Sequence, residues 1–369
     1  MPSVSQKRPL LFGAMLNPRK NSLNLIRLVL ASSVLLHHSW PLTGTPNGWF
    51  FAGDYLGGWA VAGFFAISGY LITGSRWANR LGDYLVHRTA RIMPAFLVCL
   101  LVMVAFFGPI SYLVSKGSLS GYFSSATSPL NFLISNITLK MYNYDIAGSP
   151  FDVPYPGAWN GSLWTLYYEF LCYLILAFFG LFVIFKRSVW PITAAFVLSV
   201  VVQANMGFFA YLSNDNGDLI SLFKLLPFFL GGATLFVWKN RIGLHWLPAI
   251  VSLGLWVSLS AAFPSWGGQA SGFFAAYFLL WLSSWLPQPA WIARNDVSYG
   301  MYIYAFPVQQ LFAIFGAYHW GVFWFTVATL IATVPLAVAS WFWVEKPIMG
   351  RAKAAKAVQL KAPEQVSTG

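Results

Sequence analysis

The sequence predicts an all-α, polytopic integral membrane bundle of about ten transmembrane helices with both termini in the cytoplasm. Three observations predict it. Only 9% of the residues are charged and 58% are hydrophobic, with a mean hydropathy of +0.63, whereas a soluble domain carries roughly 25% charged residues. Apolar runs recur along nearly the whole chain, which excludes a single anchor. With an inside N-terminus, 18 of the 22 lysines and arginines fall in inside segments, Lys116 and Lys140 fall outside, and Arg27 and Lys224 fall within spans. Such a bias orients a polytopic chain and places both ends inside. It also excludes nucleic acid as the partner of the formal +12 charge, because the cations are dispersed through short loops.

Residues 1–21 read as a basic cytoplasmic lead-in with a short apolar patch at Leu10–Leu16. A cleaved signal peptide fits poorly: the patch is minimal, Pro18-Arg19-Lys20 follows it, and no A-x-A site is present. The membrane domain occupies 22–350, with spans expected at about 23–41, 53–74, 92–114, 161–185, 189–207, 219–238, 244–262, 269–286, 298–318 and 322–344. Several contain Gly or Pro, which membrane helices tolerate when neighbours satisfy the freed backbone groups. The longest outside segment, about 115–160, is rich in Tyr, Pro and Gly and is expected to hold a short or re-entrant helix at Asn131–Met141. Residues 351–369 form an Ala/Lys-rich cytoplasmic tail, expected to be mobile. Cys99 and Cys172 both lie in apolar segments, so neither a disulfide framework nor a cysteine metal site is expected.

The residues that could carry chemistry are those that cost most in lipid. Asn24–Trp40, NLIRLVLASSVLLHHSW, is an apolar run broken by Arg27, His37 and His38. Arg27 and His38 are about three helical turns apart, so they share a face at a separation of roughly 16 Å. An arginine at that depth faces a bundle interior or polar cavity, and His38 is the side chain on that face suited to proton transfer near neutrality. His37 points about 100° away and reads as structural, as do Lys224 and Glu345. Glu169, in SLWTLYYEFLCYLIL, is a carboxylate about 12 Å into its span. It must find a partner or stay protonated, and His38 and Lys224 are the candidate partners. In the inner loop SRWANRLGDYLVHRTARIMP, Arg88 and Arg91 lie side by side on a helix just before Pro94 opens the third span. Two guanidinium groups there suit a polyphosphate; positive-inside charge resting on lipid headgroups is the alternative. Trp159, Trp164, Tyr167 and Tyr168 could stack on sugar rings or form an ordinary aromatic belt. No nucleophile elbow, phosphate-binding glycine loop or metal-binding motif is present.

Over about residues 22–350 these segments together resemble the membrane acyltransferase-3 family, polytopic O-acyltransferases of bacterial surface polysaccharides. LNLIRLVLASSVLLHHS resembles its first helix, with the arginine and histidine falling on Arg27 and His38. GWAVAGFFAISGYLITG resembles its FF-x-x-SG segment, and RTARIMP its R-x-x-R-I-x-P motif. SLWTLYYEF, SYGMYIYAFPVQQ and VEKP stand, in order, where its later motifs belong. Asn24 departs from an acidic residue common in the family, and Ala305 from a histidine, which shifts weight onto His38. No extracytoplasmic hydrolase-like domain follows the bundle, so a second transfer step is expected to need another protein.

The resemblance implies an inner-membrane O-acyltransferase. Its donor substrate would be cytoplasmic acetyl-CoA, with no permanently bound cofactor. Its acceptor would be a hydroxyl of an exopolysaccharide, O-antigen or similar glycan, free or lipid-linked. Membrane lipid and polysaccharide-assembly proteins are the other expected partners. In the simplest mechanism His38 is the general base and Glu169 orients it, with Arg27, Arg88 and Arg91 on the donor; a transient acyl-histidine relay is the rival. A flippase or transporter of a lipid-linked sugar is the competing function. It predicts internal repeats or paired broken helices, and the sequence has neither.

Overall fold

The computed structural model describes residues 13–46 and 48–361, and for 355–361 the backbone alone. The Leu10–Leu16 patch lies partly outside the described residues. The chain runs through α1 (Leu23–Leu42), a hairpin of β1 (Phe50–Phe51) and β2 (Asp54–Tyr55), α2 (Leu56–Ala78) and α3 (Leu81–Val102). A wide π turn at Met103–Phe107 carries α3 into α4 (Gly108–Lys116). Then follow α5 (Pro129–Asn136), α6 (Trp164–Phe179), α7 (Val183–Arg187), α8 (Trp190–Ala204), α9 (Met206–Leu212) and α10 (Gly217–Trp238). The last elements are α11 (Trp246–Ala262), α12 (Gly267–Ala270), α13 (Gly272–Trp285), α14 (Ala290–Arg294), α15 (Ser298–Ile314), α16 (Gly321–Ala339) and, after a π turn at Ser340–Glu345, α17 (Lys346–Lys361).

The protein is mostly helical, and each of the ten expected stretches contains helix. Five helices among the described residues are long and apolar enough to cross a membrane: Leu23–Leu42, Leu56–Ala78, Leu81–Lys116, Gly217–Trp238 and Ala317–Ala354. A sixth results if α8 and α9, bent by 85° at their junction, are one broken span. The helices α6, α11 and α13 are apolar but shorter.

Two local expectations change. Pro94 does not open the third span: α3 starts at Leu81 and Pro94 sits inside it. The short helix expected at Asn131–Met141 is α5 alone, begun by Ser128, whose Oγ accepts the Asn131 amide. At its end the buried Asn136 side chain accepts from the amides of Tyr142 and Asn143 and donates to the Asn143 carbonyl, which turns the chain away. The stretch after Arg351 begins as helix through Lys361, as Ala and Lys favour.

The residues fall into two units, Met1–Ala78 with Tyr168–Ser298, and Asn79–Tyr167 with Tyr299–Gly369. In the first, α2, α8 and α13 pack on α10, while α1 packs on α2 and α11 on α13. Glycine permits this. A Cβ at Gly69 would lie 1.8 Å from the Phe229 carbonyl oxygen, and one at Gly232 would lie 1.9 Å from that of Ala66. A Cβ at Gly231, about 100° round the same helix, would lie 2.4 Å from the Gly272 carbonyl carbon on α13. Small residues let membrane helices meet backbone to backbone.

In the second unit Pro307 stands inside α15 and cannot bond the Ile303 carbonyl one turn earlier. Asn160 Nδ2 donates to that oxygen at 2.8 Å and the Cys99 thiol at 3.3 Å. The segment between α5 and α6 is tied in further by fully buried Trp159, which donates to Ser149, and by Gln310, which donates to the carbonyls of Tyr155 and Ala158.

Gly232→Ala should therefore destabilise the purified protein by about 1–3 kcal/mol through overpacking. Gly254→Ala, on a helix position with nothing within 4 Å, should be neutral or stabilising. Thermal unfolding of both variants in detergent checks this.

Candidate active site

Arg27 projects from the first turns of α1, and its Nη1 lies 2.6 Å from Asp296 Oδ2. The carboxylate is buried and also accepts from Ser298 Oγ at 2.5 Å, at the start of α15. Asn24 explains how this turn is delivered. Its Nδ2 donates to the carbonyls of Ile292 and Ala293 in the last turn of α14, and so docks the loop that carries Asp296 onto α1.

Arg27 also lines a cavity of about 870 Å³ together with Asn17, Asn24, Tyr70, Phe236 and Lys239. One wall is the lead-in, strapped to the chain before α11 by reciprocal backbone bonds between Ala14 and Leu244. Gly13 and Gly243 meet there backbone to backbone, so close that a Cβ at Gly13 would lie 2.6 Å from the Leu244 carbonyl oxygen. Lys239 Nζ sits 3.7 Å from the centroid of the Phe236 ring. Burial pushes its ammonium below the ordinary lysine value.

His38 is half-buried three turns along α1, its ring 5.2 Å from that of His37. The His37 ring rests 5.5 Å from Tyr55 and fills the space in which a Cβ on Gly57 would fall, 2.4 Å from Cδ2. It packs α1 against the hairpin and the start of α2.

Glu169 Oε1 accepts from Tyr173 OH at 2.6 Å, one turn along α6, and from Ser68 Oγ on α2 at 3.0 Å. Neither His38 nor Lys224 is a partner in these bonds, so the expected imidazole–carboxylate pair is replaced by two hydroxyl donors. A hydroxyl satisfies a carboxylate in lipid without adding a second charge.

Arg88 and Arg91 stand on α3 in the second unit. Arg91 Nη1 lies 2.7 Å from Glu345 Oε2, and its guanidinium is 5.6 Å from the Tyr299 ring and 5.9 Å from the Trp341 ring. Glu345 is buried and also accepts from Ser340 Oγ across the π turn. Arg91 is thus already engaged by a carboxylate. Arg76, grouped with it in the loop by sequence, belongs to the first unit. It is buried there and donates to the Ala177 carbonyl near the end of α6, where a cation complements the helix dipole.

Sequence reasoning missed Asp296, Ser68, Tyr173 and Lys239. Asp296 was findable in part, since an intramembrane arginine requires a counter-ion and the chain holds only ten acidic residues. Ser68 lies inside the SGY segment already singled out.

The family profile for the acyltransferase domain of the acyltransferase-3 type matches residues 20–342. An O-acetyl transferase of Shigella phage Sf6 is 29% identical over 356 residues, covering 90% of this chain and 97% of the phage protein. Nodulation protein 10 of Rhizobium leguminosarum bv. viciae is 28% identical over 377 residues, covering 89% and 93%. No solved structure matches.

The Arg27–Asp296 pair should behave as one energetic unit. Arg27→Ala and Asp296→Ala should each cost roughly 1–3 kcal/mol, between exposed and fully buried pairs, and the double variant about as much as either alone. A double-mutant cycle on thermal unfolding reads the coupling directly.

Proposed function

The chain belongs to the acyltransferase-3 family, and from that premise we propose that this O-acyltransferase moves an acetyl group from cytoplasmic acetyl-CoA to a hydroxyl of an exported or surface polysaccharide. The phage relative, itself an O-acetyl transferase, supports the acetyl group. The proposed setting is the bacterial inner membrane, with ten spans and both ends in the cytoplasm, where the donor is made.

The observation that carries the reading is Arg27, its charge held by Asp296, three turns before His38 on one apolar helix. In the proposed step an imidazole nitrogen of His38 takes the proton of the acceptor hydroxyl. The oxygen forms a bond to the thioester carbonyl carbon, the carbon–sulfur bond breaks, and the proton passes from the imidazolium to the departing thiolate. The products are an ester and free CoA. Glu169, held by Ser68 and Tyr173, is proposed as the supporting carboxyl group of this step. Arg27, Arg88 and Arg91 are proposed as donor contacts, Arg91 through a guanidinium already oriented by Glu345.

His38→Ala should reduce glycan O-acetylation about 10²–10⁴-fold, Glu169→Gln by less, and His37→Ala only mildly. Mass spectrometry of surface glycan from a deletion strain complemented with each variant at matched protein level tests this. An inactive His37→Ala beside an active His38→Ala would overturn the assignment. Reporter fusions at Asn143 and Lys353 should report opposite sides of the membrane, with Lys353 inside.

A further inference from the structure

We propose that the cavity between the lead-in, α1, α2 and α10 is a nucleotide pocket, in which Lys239 and Arg27 hold phosphate and Tyr70 and Phe236 flank an adenine. The proposal rests on the donor reading above and deepens it by naming where the adenosine-phosphate end of CoA sits. The volume, about 870 Å³, falls within the 300–1,000 Å³ common to small-molecule sites. Its charge calls for an anion. Asp296 neutralises Arg27 through one nitrogen, and among the described residues that is the guanidinium's only hydrogen bond. Lys239, across the same space, has no carboxylate partner among the described residues, so the cavity holds one uncompensated cation in partly apolar surroundings. A partly buried ammonium without a counter-charge is costly; a bound phosphate removes that cost.

The remaining walls favour a nucleotide over a bare phosphate. Tyr70 and Phe236 meet edge to face, with centroids 5.4 Å apart, and both line the space with the amide side chains of Asn17 and Asn24. A Cβ on Gly74 would lie 2.8 Å from the Phe236 ring, so glycine there lets the ring keep its place. An aromatic wall and amide groups recognise a base; a lipid headgroup would use only the cations.

The test uses the full-length protein in phosphatidylcholine nanodiscs. Lysines are reductively methylated and mapped by mass spectrometry, with CoA affinity measured by calorimetry in parallel. CoA and adenosine bisphosphate should protect Lys239 from methylation, and pantetheine should not. Lys239→Ala should raise the Kd for CoA roughly 10–100-fold, as expected for losing a charge-assisted hydrogen bond, and Lys239→Arg should recover most of it. Lys186→Ala, which removes an exposed cation elsewhere, should leave the Kd unchanged. Equal CoA affinity in wild type and Lys239→Ala, with Lys239 methylated alike with and without CoA, would overturn the pocket while leaving CoA as donor. Protection by phosphatidylglycerol in the nanodisc without CoA would overturn it in favour of a lipid headgroup. A wild-type protein that neither binds CoA nor transfers from acetyl-CoA would overturn the donor reading itself.

Discussion

At the contact between α2 and α10, Gly69 and Gly232 bring backbone against backbone, so that no side chain can intervene. Its consequences spread along α2 at about 100° per residue. Ser68, one position before the crossing, reaches Glu169 on α6. Tyr70, one position after it, turns into the cavity that Arg27 lines. From the other partner, Phe236 and Lys239 at the end of α10 reach the same cavity. Three consecutive residues therefore serve a carboxylate, a helix crossing and a candidate ligand site, and each depends on how closely the two helices approach.

Three arginines of the apolar segments find partners within the protein. Arg27 takes Asp296, and Arg91 takes Glu345 with two aromatic faces beside it. Arg76 donates to the Ala177 carbonyl near a helix end. Such pairs add little net stability over an apolar replacement, but removing one partner strands the other. Their effect is to specify which segments meet. In the second unit the R-x-x-R-I-x-P and VEKP segments are joined by Arg91–Glu345, and the SYG segment joins the first of these through Tyr299 OH, which donates to the Ile92 carbonyl. Motifs that read as chemistry are here also architecture.

The backbone obeys the same demand. Pro307 frees a carbonyl in α15, and Asn160 and Cys99 from distant parts of the chain satisfy it. The segment before α6 is thereby tied to α15 at a point that the proline created.

Hydropathy and charge by themselves determined that the chain is helical and membrane-bound, where its helices lie, and that Arg27, His38 and Glu169 are its expensive residues. Those are local properties, legible because each helix must bury its own apolar run and each intramembrane charge stands out against it. The partners were decided only by the tertiary structure. Asp296 meets Arg27 across 269 residues of chain and Glu345 meets Arg91 across 254, while Glu169 finds Ser68 and Tyr173 in place of a histidine. No periodicity encodes such a pairing. It follows from which helices pack together, and in the first unit that depends on where glycine lets two backbones touch.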